Sequence, residues 1–515
     1  MPSNLKELIV VLALGALVFA LGRKTATALM DEGDFKRRRN AWLILSAAAF
    51  LSPSFWLFVL VAAPTLYWGA KKDSNPLGFY LLLINVVPSV PVDIPAIGVN
   101  RFFSLDIFRL LAFCVLVPAA LRFRKSADRA QNGRLGKMDV FLLAYGALQA
   151  IYFVAPDLPN HVILQNSATN VLRTSFLFFI DAYVLYYVAS RTCRSPRAIT
   201  DAMAAFCFSC LLMSSLAIFE SVKHWLLYTD LTRAWGGAPI DLQYVIRAGM
   251  LRAESSSGNA LVLGYLLAIA FGCWLHLKTR LPKGGVSRLV APILWLGLFA
   301  SFSRGPWIGA VAIYFAHAAL QSNGRSRLLK AAITCVFLGL LISLTPLGSK
   351  LLDTLPFQSG TKSASTLDYR QRLVAESMPL IQAHPYLGDQ LALTKLQDMR
   401  QGQGIIDVVN AYLGIVLFHG LIGLFLFVGF LVSALFLAYR VTKRPATAGP
   451  ELTSAATSLA ACLVGTSVML ADCSFILGYV PTFYSLTGLA VACSFLVSAP
   501  RSASQPVPAL VKTAG

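Results

Sequence analysis

The most exacting chemistry in this chain belongs to Arg304, in Phe302-Ser303-Arg304-Gly305-Pro306-Trp307 between two long apolar runs. An ionised guanidinium at the edge of hydrocarbon is costly and does not shed its proton, so it calls for an anionic partner. On the span map derived below, Arg233, Arg247, Arg252, Arg370, Arg372 and Arg400 also fall on the outer side, where the positive-inside rule predicts few basic residues. Guanidinium forks bind phosphate oxygens bidentately, and their charge stabilises a departing pyrophosphate. The plainer reading is a solvated face with local ion pairs, and Arg372 with Glu376 has the i, i+4 spacing for one.

His384 suits either of two roles, a base near neutral pH or a partner for a helix C-terminal dipole. His161, His224, His276, His317 and His419 are isolated in sequence. No His, Cys or carboxylate cluster has metal-ligand spacing, and no Asp-x-Asp, Walker, Gly-x-Ser-x-Gly or dinucleotide pattern occurs, so neither a metal nor a cofactor is expected. Asp181 and Asp472 lie within apolar runs, where helix–helix hydrogen bonding is favoured over proton coupling.

The elements that must position these groups are membrane spans. The 515 residues are 57% hydrophobic and 13% charged, with a mean hydropathy of +0.66. Repeated apolar runs of about 15–25 residues read as transmembrane helices of an all-α polytopic membrane protein. The net charge of +20 sits between spans, so the lipid bilayer explains it and nucleic acid does not. Nine cysteines lie in or beside apolar segments, which argues against a disulfide framework, and Cys207-x-x-Cys210 reads as helix packing. The run at 8–22, followed by Arg23-Lys24, reads as an uncleaved span.

Placing every basic cluster in the cytoplasm requires an even number of crossings between neighbouring clusters. The apolar stretch 41–70 then becomes a hairpin of two short helices, or a re-entrant pair, hinged at Ser52-Pro53-Ser54. Further spans are expected near 77–90, 105–121, 138–154, 174–190, 198–220, 259–277, 288–302, 306–320, 328–346, 411–439, 453–474 and 482–499. The total is about 13–15 helices, with the N-terminus outside and the tail 500–515 in the cytoplasm. The organisation is thus a bundle over 1–346 carrying an outer loop at 221–258, a large outer loop at 347–410, and C-terminal helices over 411–499. In the large loop, Ser365 and Asp368 have capping-box spacing. Leu373, Ser377, Leu380 and His384 share one helical face, with Val374, Met378 and Ile381 beside it, and Pro385 ends the helix. Such an amphipathic helix can lie on the membrane and roof a cavity.

Ser301-Phe302-Ser303-Arg304-Gly305-Pro306-Trp307-Ile308-Gly309 resembles the Ser-Arg-Gly-x-Trp motif of the O-antigen ligase and polymerase superfamily. Arg252-Ala253 before Gly258-Asn259, His384-Pro385-Tyr386-Leu387-Gly388, and Asn410-Ala411-Tyr412-Leu413 with Gly420-Leu421-Ile422-Gly423-Leu424 are similar to further motifs of that family, in order. The resemblance implies a GT-C-like helical bundle in the bacterial inner membrane, with its site on the periplasmic face. It implies metal-independent glycosyl transfer from undecaprenyl-pyrophosphate-linked oligosaccharide, alongside chain-length regulator and flippase proteins. On this reading Arg252 and Arg304 grip the pyrophosphate, and Arg370 or Arg372 positions the second substrate. Arg247 and Asn410 are further binding candidates, and His384 or Asp407 is the base. Many ligases carry His where this chain has Val409, and the Asp407-x-x-Asn410 arrangement looks more like the exopolysaccharide polymerase branch. A polymerase is therefore expected, with two alternatives: a ligase passing finished glycan to a lipid A core or protein, and a transporter or flippase, whose usual inverted repeats are not visible here.

Overall fold

The computed structural model describes residues 3–95, 102–125, 136–151, 168–237, 244–247, 249–282, 284–321, 323–330, 332–333, 362–400 and 406–498. The chain is an all-α polytopic membrane protein. Among the described residues, seven helices are long and apolar enough to cross a membrane: Ser3–Thr27, Leu172–Thr192, Pro196–Lys223, Ala260–Leu277, Ala411–Thr442, Pro445–Asp472 and Val480–Ser498. The expected span at 328–346 lies almost wholly outside the described residues.

The N-terminal part comprises α1 (Ser3–Thr27), α2 (Glu32–Leu51), α3 (Phe55–Lys72) and α4 (Pro76–Leu83). The break between α2 and α3 falls at the expected hinge, where Ser54 caps α3 through the Leu57 amide. Two expectations need correction here. First, helix covers only Pro76–Leu83 of the 77–90 run, about 12 Å of rise against a hydrocarbon thickness of about 30 Å. Residues 84–88 and Val90 continue as buried chain without helix. Pro88 and Pro91 have no amide hydrogen for a further turn, and Asn85 is held instead by its side chain on Ser209 and its carbonyl under the Ser256 hydroxyl. Non-helical backbone is tolerated at membrane depth when protein surrounds it.

Second, the basic cluster 36–39 is not a solvated loop. It lies in α2, and Arg38 is fully buried. Its guanidinium donates to Asp73 at 3.0 and 2.8 Å and to Asp201 at 2.9 Å through each terminal nitrogen.

Downstream, α5 (Ile107–Leu111) runs through a π-helical turn, Ala112–Leu116, into α6 (Val117–Lys125). Next come α7 (Lys137–Ile151), α8 (Ala168–Phe178), a second π-helical turn at Phe179–Val184, and α9 (Leu185–Thr192). Asp181, in that second turn, forms an ion pair with Arg109 at 2.8 Å, a stronger bond than helix–helix hydrogen bonding alone. After α10 (Pro196–Lys223) and the short α11 (Thr229–Ala234) come the central α12 (Ala260–Leu277), α13 (Ser287–Ala300) and α14 (Arg304–Leu320). The outer loop contributes α15 (Lys362–Ala383) and α16 (Ala392–Lys395), and α17 (Ala411–Thr442), α18 (Pro445–Asp472) and α19 (Val480–Ser498) complete the bundle.

Entry points repeat one device, a polar cap set before an apolar run. Asn75, Ser195, Asn259 and Asn410 each accept amides of the following turn, and proline follows two of them at the first helical position. α12 is the buried hub, packed by α10, α13, α14 and α18. The tightest seam joins α14 to α18. A Cβ on Gly305 would stand 2.2 Å from Asp472 Oδ2, and one on Gly309 would stand 2.3 Å from Met469 Cγ. Glycines four apart let two helix backbones approach this closely.

Candidate functional site

The link between α13 and α14 is three residues long, and each has a task. Ser301 returns its hydroxyl to Leu298 O at 2.7 Å, closing α13. Phe302 adopts a left-handed φ of 43° and turns the chain. Ser303 anchors the turn to α12 by donating to Ala260 O at 3.1 Å. Arg304 is then the first residue of α14, and Trp307 donates its indole N–H to Leu298 O at 2.9 Å.

An antiparallel hairpin of β1 (Ile246–Arg247) and β2 (Met250–Leu251) lies against this link. The Ala253 amide donates to Ala300 O, and Arg247 donates to Phe302 O at 3.0 Å. Arg252 donates to Ser301 O at 3.1 Å and to the Ser303 hydroxyl at 3.0 Å. Glu220, at the end of α10, holds the far side of the segment through the amides of Leu227, Glu254 and Ser255. The bundle thus fixes Arg247, Arg252 and Arg304 in one place.

These arginines open onto a cavity of ≈ 590 Å³. Its wall carries Arg247, Arg252, Arg304, Arg370, Arg372 and Arg400 against Asp398, Asp407 and Asp472, six cations against three carboxylates. Arg370 forms an ion pair with Asp472 and also donates to Asp472 O at 3.1 Å, so it ties α15 to the end of α18. Burial and the neighbouring Arg247 charge push the Arg252 guanidinium down to about 10, and burial with Arg304 pushes Arg247 down as well. All remain cationic at neutral pH. Their mutual repulsion is relieved by an anion and by nothing apolar.

The outer-loop helix departs from expectation at its start. Its described range is Lys362–Ala383, so Ser365 lies inside it rather than ahead of it. Arg372 pairs with Asp368 at 3.1 Å and not with the expected Glu376. Both partners are four residues away, and the order acid before base is the favoured one along a helix. Leu373 and Ser377 turn inward, Leu373 beside Tyr369, Leu396 and Met399, while Val374 and Met378 face outward.

Of the sequence candidates, the cavity gathers Arg247, Arg252, Arg304, Arg370, Arg372 and Asp407. Asp407 accepts the Ser474 hydroxyl at 2.8 Å, and its backbone is clasped by the Tyr369 hydroxyl. Asn410 is placed as the cap of α17, accepting the Leu413 amide at 3.1 Å, and does not line the wall. Arg233 pairs with Asp230 on the surface.

His384 is not in the wall either. It lies 14 residues beyond Arg370, about 21 Å along the helix axis. Its segment does something else. α17 is broken at Gly420, with φ 63° and ψ −168°. The amides of Leu421 and Ile422, deprived of helical acceptors, donate to Pro385 O at 2.8 Å and Tyr386 O at 3.2 Å. Asp389 returns an amide bond to Leu417 O at 2.7 Å, and the left-handed Gly388 sits directly against the break.

Tyr369, Asp398 and Asp472 are wall residues that sequence reasoning did not place. Asp472 carried a signal, a lone carboxylate at the end of an apolar run. Val409, where a base would stand by family resemblance, is an apolar part of the wall. Among the described residues, no three His, Cys, Asp or Glu side chains come together to hold a metal ion. Set against known proteins, the chain matches no protein-family model and has no match among the curated proteins.

Proposed function

We propose that the chain is a polysaccharide polymerase of the O-antigen ligase and polymerase type, acting on the outer face of a bacterial inner membrane within a GT-C-like bundle of about 13–15 spans. The observation that carries this reading is the basin of six arginines and three aspartates, formed where the α13–α14 link meets the outer loop. Its excess positive charge suits a pyrophosphate, and the apolar helices around it suit a polyprenyl tail.

In the reaction, the bond between the anomeric carbon of the growing glycan and the undecaprenyl pyrophosphate oxygen breaks. A new bond forms from that carbon to a hydroxyl oxygen of the second lipid-linked unit. Arg252 and Arg304 hold the pyrophosphate as its charge develops. Arg370 or Arg372 orients the phosphates of the acceptor. The acceptor proton passes to Asp407, whose carboxylate lines the basin, whereas His384 does not line it.

Arg304→Ala and Arg252→Ala, at wild-type protein levels, are each expected to lower polymer formation about a hundredfold. Unchanged polymer length and yield in both variants overturns the reading. The same basin would serve a ligase. A deletion strain that accumulates single repeat units on the carrier supports polymerase, and one that accumulates unattached long polymer supports ligase.

A further inference from the structure

Some 24 Å along α12 from the basin, counting from Leu261 to Leu277, the bundle holds a second cavity of a different kind. α1 and α13 both pack on α10 and leave a slot between them, floored by α10 and α12. Its volume is ≈ 100 Å³ and its wall is apolar, with Leu21, Phe208, Trp274, Leu277, Leu289 and Ile293 among the lining. Leu21 and Leu289 at its rim are each 54% exposed, so it opens sideways onto the surface that faces hydrocarbon. On α1 the lining runs from Val18 to Ala26, about 12 Å of helix. That is a narrow apolar trench along the flank of a helix long and apolar enough to cross a membrane.

One end of the trench is basic. Lys24 stands between the lining residues Gly22 and Thr25, Lys278 directly follows Leu277 at the end of α12, and Arg288 directly precedes Leu289. All three are exposed. An apolar trench ending in three cations is complementary to a molecule with a long hydrocarbon chain and an anionic head.

We propose that the trench binds one acyl chain of an anionic glycerophospholipid, with its phosphate held among Lys24, Lys278 and Arg288. The site is separate from the arginine basin and does not depend on the function proposed for it. Its occupant comes from the leaflet on the side of the basic loops. Because the chain seats between α1 and the rest of the bundle, the lipid fastens α1 to α13.

The test uses the full-length protein purified in mild detergent and offered phosphatidylglycerol or phosphatidylcholine with identical chains. Native mass spectrometry counts the lipids retained. The wild type is expected to retain one phosphatidylglycerol and to prefer it over phosphatidylcholine by about tenfold or more. Each basic residue near an anionic head contributes about fivefold. The exposed-site double variant Lys24→Glu/Arg288→Glu is therefore expected to lose the preference, and Ser215→Phe, which fills the trench from α10, to lower retention of both lipids. Equal retention of the two lipids by the wild type overturns the proposal, as does a preference that survives the double charge reversal. Retention of a polyprenyl phosphate in place of phosphatidylglycerol also overturns it.

Discussion

Replacing Gly420 by alanine tests the joint between the outer loop and the bundle. Two separate effects oppose the substitution. The backbone there has φ 63° and ψ −168°, a region open almost only to glycine, where another residue costs on the order of 1–3 kcal/mol. In addition, the new Cβ would stand 2.2 Å from Tyr386 O and 2.5 Å from Leu387 N, both backbone atoms that cannot swing aside. The loop turn must therefore retreat. With it go the bonds from Leu421 to Pro385, Ile422 to Tyr386 and Asp389 to Leu417, each worth about 0.5–1.5 kcal/mol net. The local loss comes to roughly 2.5–7.5 kcal/mol, about 5 kcal/mol at its midpoint.

The spans themselves keep their packing, so the protein is expected to remain folded while the joint opens. Hydrogen exchange read by mass spectrometry is the assay. Peptides covering 385–392 and 420–424 are expected to exchange at least a hundredfold faster in Gly420→Ala, with α12 unchanged. Gly414→Ala is the control, because its Cβ meets only Val408 Cγ1 at an ordinary 3.6 Å. Wild-type protection of 385–392 in Gly420→Ala would refute the reasoning about the break.

Three further outcomes follow from the same geometry. Arg252→Lys keeps a cation but places a stronger acid in the same surroundings. The burial and Arg247 charge that push arginine down to about 10 would also push lysine below its ordinary value of about 10.4, so a pH–rate profile of transfer should fall at a lower pH in the variant than in the wild type. Arg38→Ala leaves Asp73 and Asp201 buried without their cation, a loss of about 3–5 kcal/mol; melting in detergent should drop sharply, and the triple variant Arg38→Met/Asp73→Asn/Asp201→Asn should recover most of it. Asp407→Ala is expected to lower transfer by about a hundredfold or more, whereas His384→Ala should leave it within about threefold; the reverse ranking would restore the histidine as base.

What the sequence made legible was whatever has a local cause. The hinge at Ser52-Pro53-Ser54 and the end of the outer-loop helix before Pro385 follow from residues adjacent to the event, while the break expected at 303–305 falls at 301–303, so that Arg304 opens α14. What stayed hidden was decided by distant partners. Arg38 looks like one more cytoplasmic basic residue because Asp73 is 35 residues away and Asp201 163. The Gly420 break is invisible from within α17, since the acceptors that make it tolerable are on the outer loop. Asp472 attracted notice as a charge in an apolar run, yet its partner Arg370 lies 102 residues earlier, across the outer loop. Six of the seven arginines singled out against the positive-inside trend line the cavity, because that trend needs no partner to be seen.

The six arginines fall into two groups with different supports, and this bears on how the basin works. Arg247, Arg252 and Arg304 are fixed by the α13–α14 link and the hairpin, so they move only if the bundle does. Arg370, Arg372 and Arg400 belong to the outer loop, whose described anchorages include the joint at Gly420 and the ion pair from Arg370 to Asp472. A diphosphate bound by the first group sits on a rigid surface, which is what stabilising a departing charge requires. A phosphate bound by the second group competes with Asp472 for Arg370, so its arrival can alter how the loop is held. Under the proposed function, the rigid half suits the donor and the loop-borne half the acceptor. Asp472 joins the two groups, since it pairs with Arg370 and packs on Gly305 beside Arg304; under the proposed function, acceptor phosphate drawing Arg370 away would therefore be felt next to the donor's arginine.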